Sequence, residues 1–128
     1  MSMPDGTYVA GPMAPSCPDP DAAGWRYPPT NRWTVTVEEP WSDEAEAIRL
    51  AERAIDRSDQ VGSLDLRPVE GNYSHVGFRG DVVDVSAEFG TDRYVLAAGE
   101  HVVTSFTALV LAYDDRTEVV VYRSVNYC

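Results

Sequence analysis

Residues 100–113 read EHVVTSFTALVLAY and residues 117–127 read TEVVVYRSVNY, with the polar Asp114-Asp115-Arg116 between them. Each run is long enough for a β-strand, and the intervening residues suit a turn between antiparallel neighbours. Alternation places Val103, Thr107, Leu109, Leu111 and Tyr113 on or near one face of the first run. Val102, Phe106, Ala108, Val110 and Ala112 fall on the other. The second run sets Val119, Val121 and Val125 against Val120 and Tyr122. A strand that is apolar on both faces belongs in the middle of a sheet and needs a cover on each side.

Working back toward the N-terminus, Trp33-Thr34-Val35-Thr36-Val37-Glu38 alternates as a first strand, with Trp33, Val35 and Val37 facing inward. Pro40 ends it. A helix is expected over Asp43–Ser58, with Ser42 as its N-cap and Asp43 and Glu44 on the positive end of its dipole. Ala47, Ile48, Ala51, Ala54 and Ile55 form its apolar stripe, bordered by Leu50. The opposite face carries Glu46, Arg49, Glu52, Arg53, Asp56 and Arg57. Val61–Val69 reads as a weaker strand, and Gly62 and Pro68 place it at an edge. The glycine-rich Gly71–Gly80 reads as a loop or an irregular hairpin. Asp81–Phe89 reads as a strand with Val83, Val85, Ala87 and Phe89 on one side. Arg93–Ala98 follows, with a turn at Ala98-Gly99.

Strand, helix, then four or five antiparallel strands implies an α+β fold: one helix packed across a curved, mainly antiparallel sheet of about five to six strands. The domain is assigned to residues 31–128. Residues 1–30 form an extended, Pro-rich N-terminal arm, because closely spaced prolines exclude a helix or a central strand. A short paired piece near Thr7–Ala10 is the exception. Trp25, Tyr27, Pro28 and Pro29 are the arm's candidate partner-binding residues, since they would be sticky in solvent. The element order resembles the cystatin-type layout of a helix gripped by a meander. Gln60-Val61-Gly62 is similar to a piece of the cystatin inhibitory hairpin, three residues from which protease inhibition is not transferred.

The 128 residues suit one domain. Twenty-one acidic residues face ten basic ones, all of them Arg, for a net charge of −11. Phosphate contacts need concentrated positive charge, so neither direct nucleic-acid binding nor an anionic membrane surface is expected. No apolar run approaches the roughly 20 residues that span a bilayer, and no signal peptide is evident. An intracellular origin, cytoplasmic or within an assembled particle, is therefore expected.

Chemistry is sparsely signalled. Cys17, His75, His101 and Cys128 are scattered without metal-ligand spacing, so no metal or other cofactor is expected. Whether Cys17 and Cys128 pair is left open. Gly71, Gly77 and Gly80 match no phosphate-binding loop. The candidate site loop is Tyr73, His75 and Arg79, where an imidazole that titrates near neutrality sits among glycines. A nucleophile would also need a base and an orienting group, and sequence adjacency does not supply them. Asp84, Ser86 and Glu88 alternate outward as solvent-facing residues.

With no catalytic motif, the reading leans away from an enzyme. It favours a structural or assembly subunit of a multiprotein complex, contacting protein subunits (its own copies or others) through the arm. Small virion components of connector, tail-completion or cementing type are examples. The alternatives are a ligand-binding or enzymatic pocket between helix and sheet, with a mouth drawn from Tyr94, His101, Tyr113 and Tyr122, and an acidic inhibitor or immunity-type protein that neutralises a basic partner.

Overall fold

The structure, a computed structural model, describes residues 6–10, 30–59, 64–71, 73–78, 81–101 and 104–125. The two runs identified first are its centre. β7 (Thr104–Ala112) and β8 (Thr117–Val125) pair antiparallel, with Ala112 opposite Thr117 and Thr104 opposite Val125. β2 (Thr30–Val37) adds to β8, and β6 (Tyr94–His101) adds to β7. The two-residue β3 (Arg67–Pro68) completes a five-stranded antiparallel sheet of order β2-β8-β7-β6-β3.

Every residue of β7 from Phe106 to Ala112 is buried, because both faces of the sheet are covered. On one face lies α1 (Glu44–Asp59), whose Ala47, Ala51, Ala54 and Ile55 pack on Phe106, Ala108, Val110, Val119 and Val121. The small helix residues bring the backbone close to the sheet. Trp33 and Val35 of β2, with Ile48 and Leu50 of α1, close the margin. The other face carries Leu109, Leu111, Val120 and Tyr122 beneath Val76 and Val85. That cover is a second sheet of order β1-β4-β5, made of β1 (Thr7–Ala10), β4 (His75–Phe78) and β5 (Asp81–Asp84). β1 runs parallel to β4, with Thr7 opposite His75 and Ala10 opposite Phe78. The result is an α+β domain of three layers.

Four local expectations change. The cap of α1 is Asp43, not Ser42: Asp43 Oδ1 accepts from the Glu46 amide at 2.8 Å, while Ser42 Oγ donates to Glu46 Oε2 at 2.7 Å. The helix starts one residue later than read, so the capping position moves with it. The strand expected over Asp81–Phe89 stops at Asp84, and α2 (Val85–Phe89) follows. Asp84 accepts from the Ala87 amide at 3.0 Å, and Gly90 ends the turn at φ 73°, where only glycine is unstrained.

The turn expected at Ala98-Gly99 is absent as well, and β6 continues to His101. At Gly99 a Cβ would lie 2.8 Å from the Asp65 carbonyl oxygen, so glycine here serves a close backbone approach. Lastly, among the described residues the expected edge strand keeps only Arg67 and Pro68, opposite Ala98 and Ala97. The glycine-rich segment takes its hairpin form, with β4 inside it paired to β5. Residues 60–63, including Gln60-Val61-Gly62, lie outside the described residues, as do Trp25, Tyr27, Pro28, Pro29, Cys17 and Cys128.

Candidate functional site

The shortness of β3 shapes the surface beside it. Since β3 reaches only Ala97 and Ala98, it leaves the start of β6 flanked by loop rather than strand. The Val69 amide still donates to the Leu96 carbonyl at 2.8 Å, then the chain turns away. A cleft of about 440 Å³ opens there. Its apolar wall is Val69, Val85, Val95 and Leu96, from the loop after β3, the start of α2, and β6. Tyr73 and Tyr94 add aromatic rings, and Glu44 and Asp92 add carboxylates; among the described residues no basic side chain lines it. Burial pushes the Tyr94 phenol above its usual value.

Tyr73 is held from two directions. Its ring meets Tyr8 of β1 edge-on, with centroids 5.5 Å apart and planes at 65°. At Gly71, where φ is 131°, a Cβ would stand 2.7 Å from the same ring. Glycine is required there both by conformation and by that contact.

Next to the cleft, Ser74, His75 and Asp84 are in contact in series. Ser74 Oγ lies 2.8 Å from His75 Nδ1, and His75 Nε2 lies 3.3 Å from Asp84 Oδ2. The hairpin register explains the second contact, because His75 sits directly opposite Asp84. Asp84 thus uses one oxygen to cap α2 and the other to meet the imidazole.

A hydroxyl, an imidazole and a carboxylate in series can move a proton, but acyl transfer also needs donors for the developing oxyanion. The amides of Ser74 and His75 are engaged elsewhere: Ser74 N donates to the Gly6 carbonyl at 2.9 Å, and His75 N points to the same oxygen at 3.4 Å. Ser74 lines the cleft and His75 does not. The trio serves as a brace that ties β1, β4, β5 and α2 together. Of the expected site loop, Tyr73 lines the cleft, His75 belongs to the brace, and Arg79 lies outside the described residues.

Of the tyrosines expected at a pocket mouth, Tyr94 alone reaches the cleft. Tyr113 and Tyr122 pack into the second-face core, Tyr113 donating to the Phe89 carbonyl, and the His101 side chain is outside the described set. The helix side of the sheet is filled by the alanines of α1. Arg32 of β2 stacks near Phe89 and Tyr122, at 5.4 and 5.5 Å from their centroids, and lies 3.9 Å from Glu88. Among the described residues no group of three His, Cys, Asp or Glu is placed to hold a metal, and no helix is long and apolar enough to cross a membrane.

Tyr8, Tyr94, Tyr113 and Tyr122 share one consequence. Burial raises all four phenols; Tyr73 adds to this for Tyr8, Glu118 for Tyr113 and Glu88 for Tyr122. Thr107, Arg116 and Arg32 respectively work against it. The folded state therefore keeps protons that an unfolded chain sheds from about pH 10. This stability is fully present below that pH and is lost as pH rises through the folded values. Phenolate absorbance should lag behind free tyrosine and then rise together with the loss of far-UV circular dichroism. Complete titration near pH 10 with the fold intact would contradict the burial of these rings.

Comparison with protein families, with curated proteins and with solved structures returns no match for this chain, so its function has to be argued from its own geometry.

Proposed function

We propose that the protein is a non-enzymatic interaction subunit that associates through the outer edge of β2. The observation that carries this reading is the position of β2: eight residues long, it is the terminal strand of the main sheet, and no described strand pairs with its outer side. Such an edge offers a row of backbone donors and acceptors to an incoming strand. Most terminal strands are blunted by being short or highly charged, and β3 at the other end of the sheet has only two residues. β2 reads TNRWTVTV, with one charge and no acidic residue in a chain of net charge −11. It is where like-charged copies can approach with least repulsion.

The occupant that fits is a second copy, antiparallel across a two-fold axis normal to the sheet. A strand residue must then meet one of its own face, as Thr34 opposite Thr34 with Trp33 opposite Val35. Trp25, Tyr27, Pro28 and Pro29 directly precede β2 in sequence, so the proposed anchors of the arm would enter the same interface. A subunit of a larger assembly, a virion particle included, is a role consistent with this mode of joining.

Sedimentation across the micromolar range tests the reading. The wild type should dimerise. A double variant, Thr34→Lys with Thr36→Lys, sets like charges across the two-fold and should weaken dimerisation by about tenfold or more, ~1.4 kcal/mol. Both threonines are exposed, so the melting temperature of the monomer should barely move. A wild-type protein that stays monomeric throughout, or an unaltered dimer in the variant, would remove β2 as the interface.

A further inference from the structure

We infer that the cleft beside β6 is a binding site for a small organic cation of the alkylated ammonium class. The inference does not depend on the β2 edge, which belongs to the opposite end of the sheet. At about 440 Å³ the cleft has the size of a small-molecule site. Its lining combines the three things such a cation needs.

The first is charge. Glu44 from the first turn of α1 and Asp92 from the loop after α2 both line it, and no Arg or His does so among the described residues. In a chain of net charge −11, this disfavours an anion and concentrates cations at the mouth. The second is aromatic surface. Tyr73 and Tyr94 line the same space, and the face of a neutral phenol attracts a cation without donating or accepting a hydrogen bond. Burial raises the Tyr94 phenol, so it remains uncharged through the physiological range. The third is an apolar wall. Val69, Val85 and Leu96 can take up N-alkyl groups and exclude water from them.

A metal ion would find little use for that wall. Hard cations require several oxygen ligands converging on one point, and among the described residues no such group exists. A primary amine would have to surrender hydration on every N–H with only the two carboxylates to replace it. An alkylated ammonium has few or no such hydrogens, and suits a wall of valines and tyrosines with a carboxylate rim.

The fold also supplies a means of holding the ring. Tyr73 is fixed between Tyr8 and the Gly71 backbone, and a Cβ at Gly71 would reach within 2.7 Å of it. Gly71→Ala must therefore displace the ring from the wall.

The test is a nuclear magnetic resonance titration of the full chain with tetramethylammonium chloride and with choline chloride. Sodium chloride at equal ionic strength and sodium acetate serve as controls. Saturable shifts are expected at the amides of Tyr73, Ser86, Tyr94, Val95 and Leu96, with affinity in the millimolar range or tighter, and none for acetate. Tyr94→Leu keeps apolar volume and removes the aromatic face, so it should weaken binding by about tenfold. Glu44→Gln with Asp92→Asn should weaken it by a similar factor, and added salt should do the same to the wild type. Shifts that are linear with concentration, or spread over the acidic surface, would overturn the site. So would undiminished binding in a folded Tyr94→Leu protein, verified by its unchanged amide spectrum elsewhere. Sedimentation with and without the ligand separates this result from the dimer: the cleft can bind in a monomer, and the dimer can form with the cleft empty.

Discussion

Ala51→Asp is expected to unfold the domain or bring it close to unfolding at neutral pH, while Arg53→Asp changes its stability by no more than about half a kcal/mol. The two positions are two residues apart on α1, yet Ala51 is 0% exposed beneath the helix and Arg53 lies on the solvent face. Ala51 packs in the cluster of Phe106, Ala108, Val110, Val119 and Val121, which offers no partner to a carboxylate. Burying an unpaired charge there costs several kcal/mol, and the extra atoms overpack the site by about 1–3 kcal/mol more. Against a total of about 5–15 kcal/mol for a native domain, the variant has little margin. Part of the loss should be recovered in acid. A carboxyl forced into the core has its folded pKa raised above the unfolded value, so the variant is relatively more stable below about pH 4 and loses ground as pH rises. Chemical denaturation of both variants at two pH values reads all of this. Matching midpoints at neutral pH would mean that α1 presents its other face to the sheet.

The central strands and the helix were legible because their patterns are long. β7 and β8 are nine residues long and carry apolar side chains on both faces, and the small-residue stripe of α1 recurs over three turns. The same pattern demanded a second cover, but nothing in the sequence said what it was. Its strands, β1, β4 and β5, have four residues each, too few for a period to show. The misreading at Val85–Phe89 has a specific cause. Residues four apart share a face both in a strand and, nearly, in a helix, so Val85 and Phe89 satisfy either period. Ala87 discriminates: a strand would bury it beside Val85, and it is exposed. Gly99 misled for a different reason, being read as turn punctuation when its role is to admit the Asp65 backbone.

The cleft was far less legible than the sheet. Tyr73 and His75 stood out because of the glycines around them, but Asp84, which meets His75, looked like one of several solvent-facing carboxylates. Its partner follows from the hairpin register rather than from spacing along the chain. Glu44, Tyr73, Asp92 and Tyr94 come from one helix, two loops and a strand, and only the truncation of β3 to two residues makes room for them together. A missing length of strand leaves no mark in a pattern of residue types. Nor did the sequence indicate that the Ser74 and His75 amides would be directed at the Gly6 carbonyl.

Removing residues 1–10 should destabilise the domain by roughly 2–4 kcal/mol without altering its self-association. The loss has several sources, in β1 and at Gly6 just before it. Tyr8 is partly buried against the second-face core, so some of the ~1.5–3 kcal/mol of a fully buried aromatic is lost. Its edge-on contact with Tyr73 adds about 0.5–1.5 kcal/mol, and its hydroxyl interacts with Thr107. Deletion also leaves β4 without its parallel neighbour and takes away the Gly6 carbonyl that receives the Ser74 amide. The melting temperature should fall by on the order of 10 °C, with near-ultraviolet dichroism reduced and the far-ultraviolet spectrum nearly kept. Association should persist, because residues 25–29 and β2 remain. Tyr8→Phe separates the contributions, losing the interaction of the hydroxyl with Thr107 while keeping the ring, and should show the smaller part of the effect. A truncated protein that melts where the full chain does would detach β1 from the domain. One that keeps its stability and loses its dimer would instead move the interface from β2 to the first ten residues.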